Sequence, residues 1–488
     1  MSNIRRAIGF AALGQYAIQI VSFTTIALLA RLLTPAEIGV FAVASSIVFL
    51  AIEVRSLGIG QYLVREKHLD ETKIRAATGL MLLVSWSLAA FIVLLAPWAA
   101  EFYREPALES IFSIIAGTFL VAPFSSVPFA LLTRAMAFRQ LFIVKLCSSL
   151  SRAGITLVLV LLGYSYHGLA LGVLAGAIVE CVAVNVYRPP GVAWMPSFRG
   201  VRSLVQFGVF TSAAGFMQKF TLGVPDLVLG RIASMADVGL FSRGLGLVSF
   251  LNKLVVQAVA PVVLPYLASI KRGGGSVSEA YLNAMVLQGG FSLPVFAVVN
   301  VLAHPMIVAL FGDQWLEAVP LASALAFWAM LQSVHCFSSM ALLAVERESV
   351  MLYKETAVFV VRLAVIACAA QYGLMAVAWA MVFSAAFEFG VNAWVVKREL
   401  GLGYARVAKS LSSSLLVAVG CWLCVTATAQ WLEHQEYNCW LQLAIGGTVA
   451  VLAWLLALRL TGHPVWAAVA PIVNRLTLGR NFANAIKD

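Results

Sequence analysis

Four charged residues in two matched pairs are the first candidates for chemistry in this 488-residue chain: Arg152 with Glu180, and Arg362 with Glu388. All four lie in long apolar runs. An ionisable group at the centre of a membrane helix costs roughly 2.5–3.5 kcal/mol on insertion scales, so it faces a partner or a cavity. Arg152 lies about 13 residues before the polar turn at Tyr164–His167 and Glu180 about 15 after it, at a rise of about 1.5 Å per residue. The two therefore reach similar depth on adjacent helices, and Arg362 and Glu388 repeat the arrangement later in the chain. Each pair is either a structural ion pair that sets helix register or an arginine facing a cavity, where a guanidinium forks onto phosphate oxygens.

Lys219 and Asp226 form a third set, seven residues apart and so on one helix face, with Gly223 and Pro225 between them. Proline inside a membrane helix removes a backbone hydrogen bond and bends it. Lys219 either faces a cavity or is neutralised by Asp226. Catalytic and metal chemistry have no foothold. There is no H-E-x-x-H, G-x-S-x-G or P-loop, and the six histidines are dispersed without metal-ligand spacing. No catalytic residue, metal or cofactor is expected. The C-x-x-C at Cys421 and Cys424 sits in an apolar run with no basic neighbour to make a thiolate, and reads as two small packing residues. Without an ATP site, energy would come from an ion or voltage gradient or from consumption of the product. Glu180, Asp226 and Glu388 are the acids available for a proton or sodium ion.

Composition defines what positions these groups. The chain is 61% hydrophobic and 11% charged, which indicates a polytopic membrane protein. No polar stretch is long enough for a soluble catalytic domain. The net charge of +11 suggests a nucleic-acid partner, but its distribution excludes one. The basic residues occupy alternate loops: Arg65, Lys67, Lys73 and Arg75; Arg134, Arg139 and Lys145; Arg188, Arg199 and Arg202; Lys271 and Arg272; Arg347 and Lys354; Lys397, Arg398, Arg406 and Lys409; and Arg475, Arg480 and Lys487 in the tail. That is the positive-inside pattern, and it predicts cytoplasmic termini. With about 20 apolar residues needed per span, fourteen helices are expected: 5–30, 37–57, 77–97, 108–129, 142–162, 167–187, 204–230, 237–262, 283–303, 318–341, 355–371, 374–396, 410–431 and 439–460. The first reads as a retained helix rather than a signal peptide.

The chain also repeats itself. ALLARLLTPAEIGVF (27–41) and LVLGRIASMADVGLF (227–241) match without a gap, 200 positions apart. Thr34 and Ser234 read as helix N-caps, with Glu37 and Asp237 completing capping boxes. Arg31 and Arg231 read as interface anchors. APWAAEFYREPALE (96–109) likewise resembles HPMIVALFGDQWLE (304–317). The expected architecture is all-α: a six-helix bundle in 1–200, a parallel second copy in 201–400, related by a pseudo-two-fold axis along the membrane normal, and two further helices with a tail in 401–488.

Five motifs carry a family resemblance: ARLLTPAEIGVFAVA (30–44), SLGIGQYLVR (56–65), GRIASMADVGLFSRG (230–244), APVVLPYLASIKR (260–272) and HPMIVALFGDQW (304–315). In this order the chain resembles the polysaccharide transporter branch, the Wzx-type flippases, of the multidrug/oligosaccharidyl-lipid/polysaccharide exporter superfamily. The resemblance implies a V-shaped pair of bundles in the bacterial inner membrane. These would pass undecaprenyl-diphosphate-linked oligosaccharide between leaflets, with the bilayer and other polysaccharide assembly proteins as partners. Lipid II flippases share the fourteen-helix plan and compete with this assignment; a multidrug exporter and a membrane glycan polymerase or ligase are further alternatives.

On that reading Arg152, Lys219, Arg243 and Arg362 are the cavity residues for a diphosphate. Glu53 and Lys253 are repeat equivalents toward the cytoplasmic ends of their helices. Either they join as a gate when the cavity opens outward, with Arg55 and Arg243 in the same network, or each snorkels to the headgroups. Glu180, Glu388 and Asp226 complete the gate and ion-pair set.

Overall fold

The computed structural model describes residues 2–56, 58–66, 69–188, 196–198, 201–257, 259–435 and 437–478, and every regular element among them is helical. Of the basic loop residues, Lys67, Arg199, Arg480 and Lys487 lie outside the described residues. The first helices are α1 (Ser2–Leu32), α2 (Pro35–Ser56), α3 (Ile59–Arg65), α4 (Glu71–Tyr103), α5 (Ala107–Arg134), α6 (Phe138–Leu161), α7 (Ser165–Val186), α8 (Val201–Ile232) and α9 (Met235–Gln257). There follow α10 (Ala260–Arg272), α11 (Val277–Phe311), α12 (Ala318–Val334), α13 (Ser338–Ala344), α14 (Glu348–Ala369), α15 (Leu374–Leu400), α16 (Tyr404–Glu433), α17 (Cys439–Leu460) and α18 (Pro464–Leu478). Among the described residues eleven helical spans are long and apolar enough to cross a membrane, α12 and α13 together forming one of them. This is a multi-pass membrane protein. A helix satisfies its own backbone within the segment, which is why a lipid-facing chain of this composition takes no other form.

The ends are set by local chemistry. Asp70, Ser276 and Asn438 cap α4, α11 and α17 by accepting from the backbone N–H groups of Lys73, Glu279 and Trp440. Gly401 closes α15 in the left-handed region, at φ 72°. The Arg134 guanidinium donates to the terminal carbonyls of α3 at Leu63 and Val64, at 2.9 and 3.3 Å, and to that of Glu66.

Two expected spans are broken. The 237–262 stretch ends as α9 at Gln257, and α10 begins at Ala260 with Pro261 in its first turn, where a missing N–H costs nothing. The 318–341 stretch is interrupted between Val334 and Ser338. His335 there is tied to Tyr281 Oη (2.8 Å), and Ser338 donates to Asn392 (2.7 Å).

The chain forms two compact units, Met1–Ser242 and Arg243–Asp488. In the first, α6 packs along α7, α4 along α5, α1 along α6, and α8 along α2. The α2–α8 contact places α8 with the helices before it. In the second, α11 is the central helix, packed by α12, α16 and α17, with α15 between α12 and α14. Its core gathers Tyr281, Met285, Leu293, Phe337 and Leu411.

His463, between α17 and α18, ties this unit's end to its centre. It is buried against Gly290 of α11, where an added Cβ would lie 2.4 Å from the imidazole. Its Nδ1 accepts from Val465 N–H at 3.2 Å, so in the neutral ring Nε2 carries the proton and donates to Ser414 Oγ at 2.8 Å. Burial holds the His463 pKa below its ordinary value.

Candidate functional site

Glycines bring α6 and α7 into contact in the first unit. A Cβ on Gly172 would fall 1.8 Å from Thr156 Oγ1, and one on Gly176 would fall 3.0 Å from Arg152 Cβ. Ser148 Oγ donates to the Gly176 carbonyl at 2.9 Å. Glu180 lies one turn past Gly176 and attracts two cations, Arg152 and Arg55. Neither arginine closes on it within the 4.0 Å of a salt bridge. Arg152 is exposed. Arg55 lies over the Phe119 ring, 5.4 Å from its centroid, with a buried Nε that has no hydrogen-bond partner. The cluster is two guanidinium groups acting on one carboxylate, net positive, with Arg152 exposed and Arg55 half-buried.

The corresponding place in the second unit is closed. Arg362 is 1% exposed, donates from Nη2 to Glu388 at 2.9 Å and from Nε to Ser384 at 3.0 Å. Eight residues earlier on α14, Lys354 is buried, with Nζ 2.8 Å from Ser339 Oγ, 3.1 Å from Ser338 Oγ and 3.1 Å from Glu355. The two pairs alike in sequence thus differ in state. Ser384 stands four residues before Glu388 and Gly176 four before Glu180. The hydroxyl that holds Arg362 has no counterpart beside Arg152. Comparing those two positions was the signal available in the sequence; Arg55 as a second cation on Glu180, and Asn392 behind Lys354, carried none.

Lys219 and Asp226 do not pair. Lys219 is exposed, and Asp226 accepts instead from Ser46 Oγ of α2 at 2.9 Å. Seven residues is about 10.5 Å along a helix, too far for a pairing that favours positions three or four apart. Arg243 is held by aromatic rings, 5.4 Å from the Trp315 centroid and 5.8 Å from that of Phe311, with its Nε buried and unpaired. It lies in the first half of α9, while Lys253 is exposed near the other end. Glu53 is half-buried near the end of α2. Glu53 and Lys253 form no salt bridge within their own units.

Both repeated turns form capping boxes. Thr34 N–H donates to Glu37 at 2.7 Å, and Ser234 N–H donates to Asp237 at 3.1 Å. Ser165, at the start of α7, also donates to Glu37. One turn into each helix the two copies meet: a Cβ on Gly39 would lie 1.8 Å from the Met235 carbonyl oxygen, and one on Gly239 would lie 1.9 Å from that of Pro35.

Among the described residues no group of three or more His, Cys, Asp or Glu is placed to hold a metal ion. The arrangement offers binding chemistry: cations at helix depth, one cluster open and its counterpart locked. Residues 28–320, more than half of the chain, match the family model described as polysaccharide biosynthesis protein. The chain belongs to this polysaccharide biosynthesis family. The chain is similar to the teichuronic acid biosynthesis protein TuaB of Bacillus subtilis (strain 168), 22% identical over 90% of this chain and 91% of that one. The succinoglycan biosynthesis transport protein ExoT of Rhizobium meliloti (strain 1021) is 25% identical over 66% of each chain. In fold, the chain is similar to the lipid II flippase MurJ in an inward closed conformation, with a TM-score of 0.72 at 13% identity over 92% of this chain and 98% of that one. It is also similar to an inward-facing multidrug resistance MATE family transporter of the MOP superfamily, with a TM-score of 0.58 at 15% identity over 80% and 94%. Membership of the polysaccharide biosynthesis family and these folds bear out the Wzx-type resemblance of the motifs.

Proposed function

We propose that the protein is a flippase for undecaprenyl-diphosphate-linked oligosaccharide in the bacterial inner membrane, working by alternating access. It is a transporter rather than an enzyme and serves exopolysaccharide, capsule or O-antigen assembly. Fourteen spans with cytoplasmic termini carry the cycle, in two parallel six-helix repeats (1–200 and 201–400) followed by 401–488. The observation that supports this most is the net-positive cluster of Arg55 and the exposed Arg152 with Glu180, in which neither arginine is locked in a salt bridge. A diphosphate carries the charge that two unlocked guanidinium groups can fork onto, and the lipid tail stays in the bilayer. Arg152 and Arg55 are then the diphosphate ligands, Lys219 is a further cavity cation, and Arg362 and Glu388 brace the second repeat. Glu53 and Lys253 form the inner gate.

The test is reconstitution of the purified chain in vesicles with labelled undecaprenyl-diphosphate-linked sugar on one leaflet. Protein-dependent appearance of chemically unchanged label on the other leaflet, lost in Arg152→Met with Arg55→Met, is the expected result. A lengthened or cleaved glycan, or transfer that survives the double substitution, overturns it. Lipid II, run as a parallel probe, separates the lipid II reading.

A further inference from the structure

We infer that Asp226 is a proton-binding site, filled while α2 and α8 are in contact and emptied when they part. The site deepens the alternating-access reading and rests on it. Asp226 Oδ2 accepts from Ser46 Oγ at 2.9 Å, while Oδ1 is closed off from solvent and has no hydrogen-bond partner. Gly223, one turn before, brings α2 close: a Cβ there would lie 3.5 Å from Ser46 Cβ. Pro225 has no N–H, so the Thr221 carbonyl lacks its helical donor. The Thr221 hydroxyl is already committed to the Met217 carbonyl at 2.6 Å.

A carboxylate in this place has one hydroxyl for its four lone-pair sites and no counter-charge. A carboxylic acid needs only one donor, which Ser46 is, and one acceptor of the kind Pro225 releases. The charged and titratable groups of the packed elements stand elsewhere. On α2, Glu37 lies nine residues before Ser46, and Glu53 and Arg55 lie seven and nine after it. On α4, the Tyr103 ring lies against Gly230, a turn beyond Asp226, with Glu101 beside it in sequence and Glu71, Lys73 and Arg75 at the far end. On α3 the groups are Tyr62 and Arg65; on α8 itself they are Arg202, Lys219 and Arg231. Among the described side chains none makes a salt bridge to Asp226.

The single hydroxyl donor on Oδ2 and the unpaired Oδ1 fit a carboxylic acid, which needs one proton and one acceptor. Loading converts the carboxylate to the acid by addition of a single proton. Separation of α2 from α8 admits water, and the proton leaves to it. Position 26, the repeat equivalent, is isoleucine, so this site occurs once.

Two readouts on the purified full-length chain in lipid test this. The first is infrared difference spectroscopy across a pH titration. A protonated-carboxyl stretch that titrates in the parent and in Asp237→Asn, and is lost in Asp226→Asn, supports the site; an unchanged band in Asp226→Asn overturns it. The second is a spin-label distance between Phe49→Cys and Leu222→Cys, both exposed, in a background without native cysteines that stays monodisperse. The distance should shorten on acidification in the parent and remain short at every pH in Asp226→Asn, whose neutral amide mimics the loaded acid. A distance that follows sodium at fixed pH, or an Asp226→Asn that responds like the parent, overturns it. Neither readout uses a lipid-linked sugar. Failure here leaves the flippase reading standing, and failure of flipping leaves this site standing.

Discussion

Replacing Gly39 by alanine tests the crossing of the two repeated turns. The added Cβ falls 1.8 Å from the Met235 carbonyl oxygen and 2.8 Å from its carbon. Non-bonded heavy atoms settle at about 3.5–4.0 Å, so the helices must separate by more than about 1 Å, and the obstacle is backbone with no rotamer to escape into. The crossing is flanked by buried Ile38, Val40, Val43, Val238 and Phe241, which lose contact as it opens. Overpacking of this kind costs about 1–3 kcal/mol, and the upper end applies here. Gly239→Ala meets Pro35 in the same way, at 1.9 Å. Because either substitution alone already parts the helices, the double variant should cost clearly less than the two singles together, a coupling of about 1 kcal/mol or more. Gly246→Ala, on the same helix with nothing within 4 Å of its added Cβ, is the control and should be neutral or slightly stabilising through helix propensity. The assay is hydrogen–deuterium exchange of peptides covering 33–45 and 233–245, with thermal stability alongside. Faster exchange in both peptides from either single substitution is expected. Exchange confined to the mutated helix, or strict additivity of the double variant, would refute the reasoning.

Other outcomes follow from the difference between the two arginine sites. Arg362→Met strands Glu388 beside a buried, unpaired environment and should cost about 3–5 kcal/mol, read as lost thermal stability and yield. Adding Glu388→Leu should recover much of it. Arg152→Met should change stability by no more than about 1 kcal/mol, yet reduce vesicle transfer about tenfold or more, since charge-assisted hydrogen bonds are worth about 1.5–3 kcal/mol. Lys354→Met should destabilise by a few kcal/mol, because Glu355, Ser338 and Ser339 lose their shared donor; a mild effect on melting temperature would contradict the network. For His463 the folded pKa is depressed, so folding favours the neutral ring. Its contribution is complete above the ordinary histidine pKa and is lost as pH falls from there toward the folded value, where the unfolded chain takes up a proton that the folded chain refuses. His463→Gln should flatten that part of the stability–pH curve in detergent.

The all-helical class and most of the spans were legible because a bilayer imposes its requirement locally. Each segment must satisfy its own backbone and present about 20 apolar residues, and both are written in contiguous sequence. The capping boxes at Thr34–Glu37 and Ser234–Asp237 were legible for the same reason, since both partners lie within four residues. The break at 335–337 was not, because it is held by Tyr281 and Asn392, more than 50 residues away on either side. Nor was Ser46 as the partner of Asp226, at a separation of 180.

The sequence by itself determined the two matching turns with their capping boxes, the all-helical class and the family. Tertiary structure alone decided which pair is locked and which is open, and that the duplicated glycines touch. Periodicity tells which residues share a face and at what height, but not which second helix lies against that face. At Gly176 and Ser384 the presence of one hydroxyl, acting only across a helix–helix contact, separates a structural ion pair from an available cation.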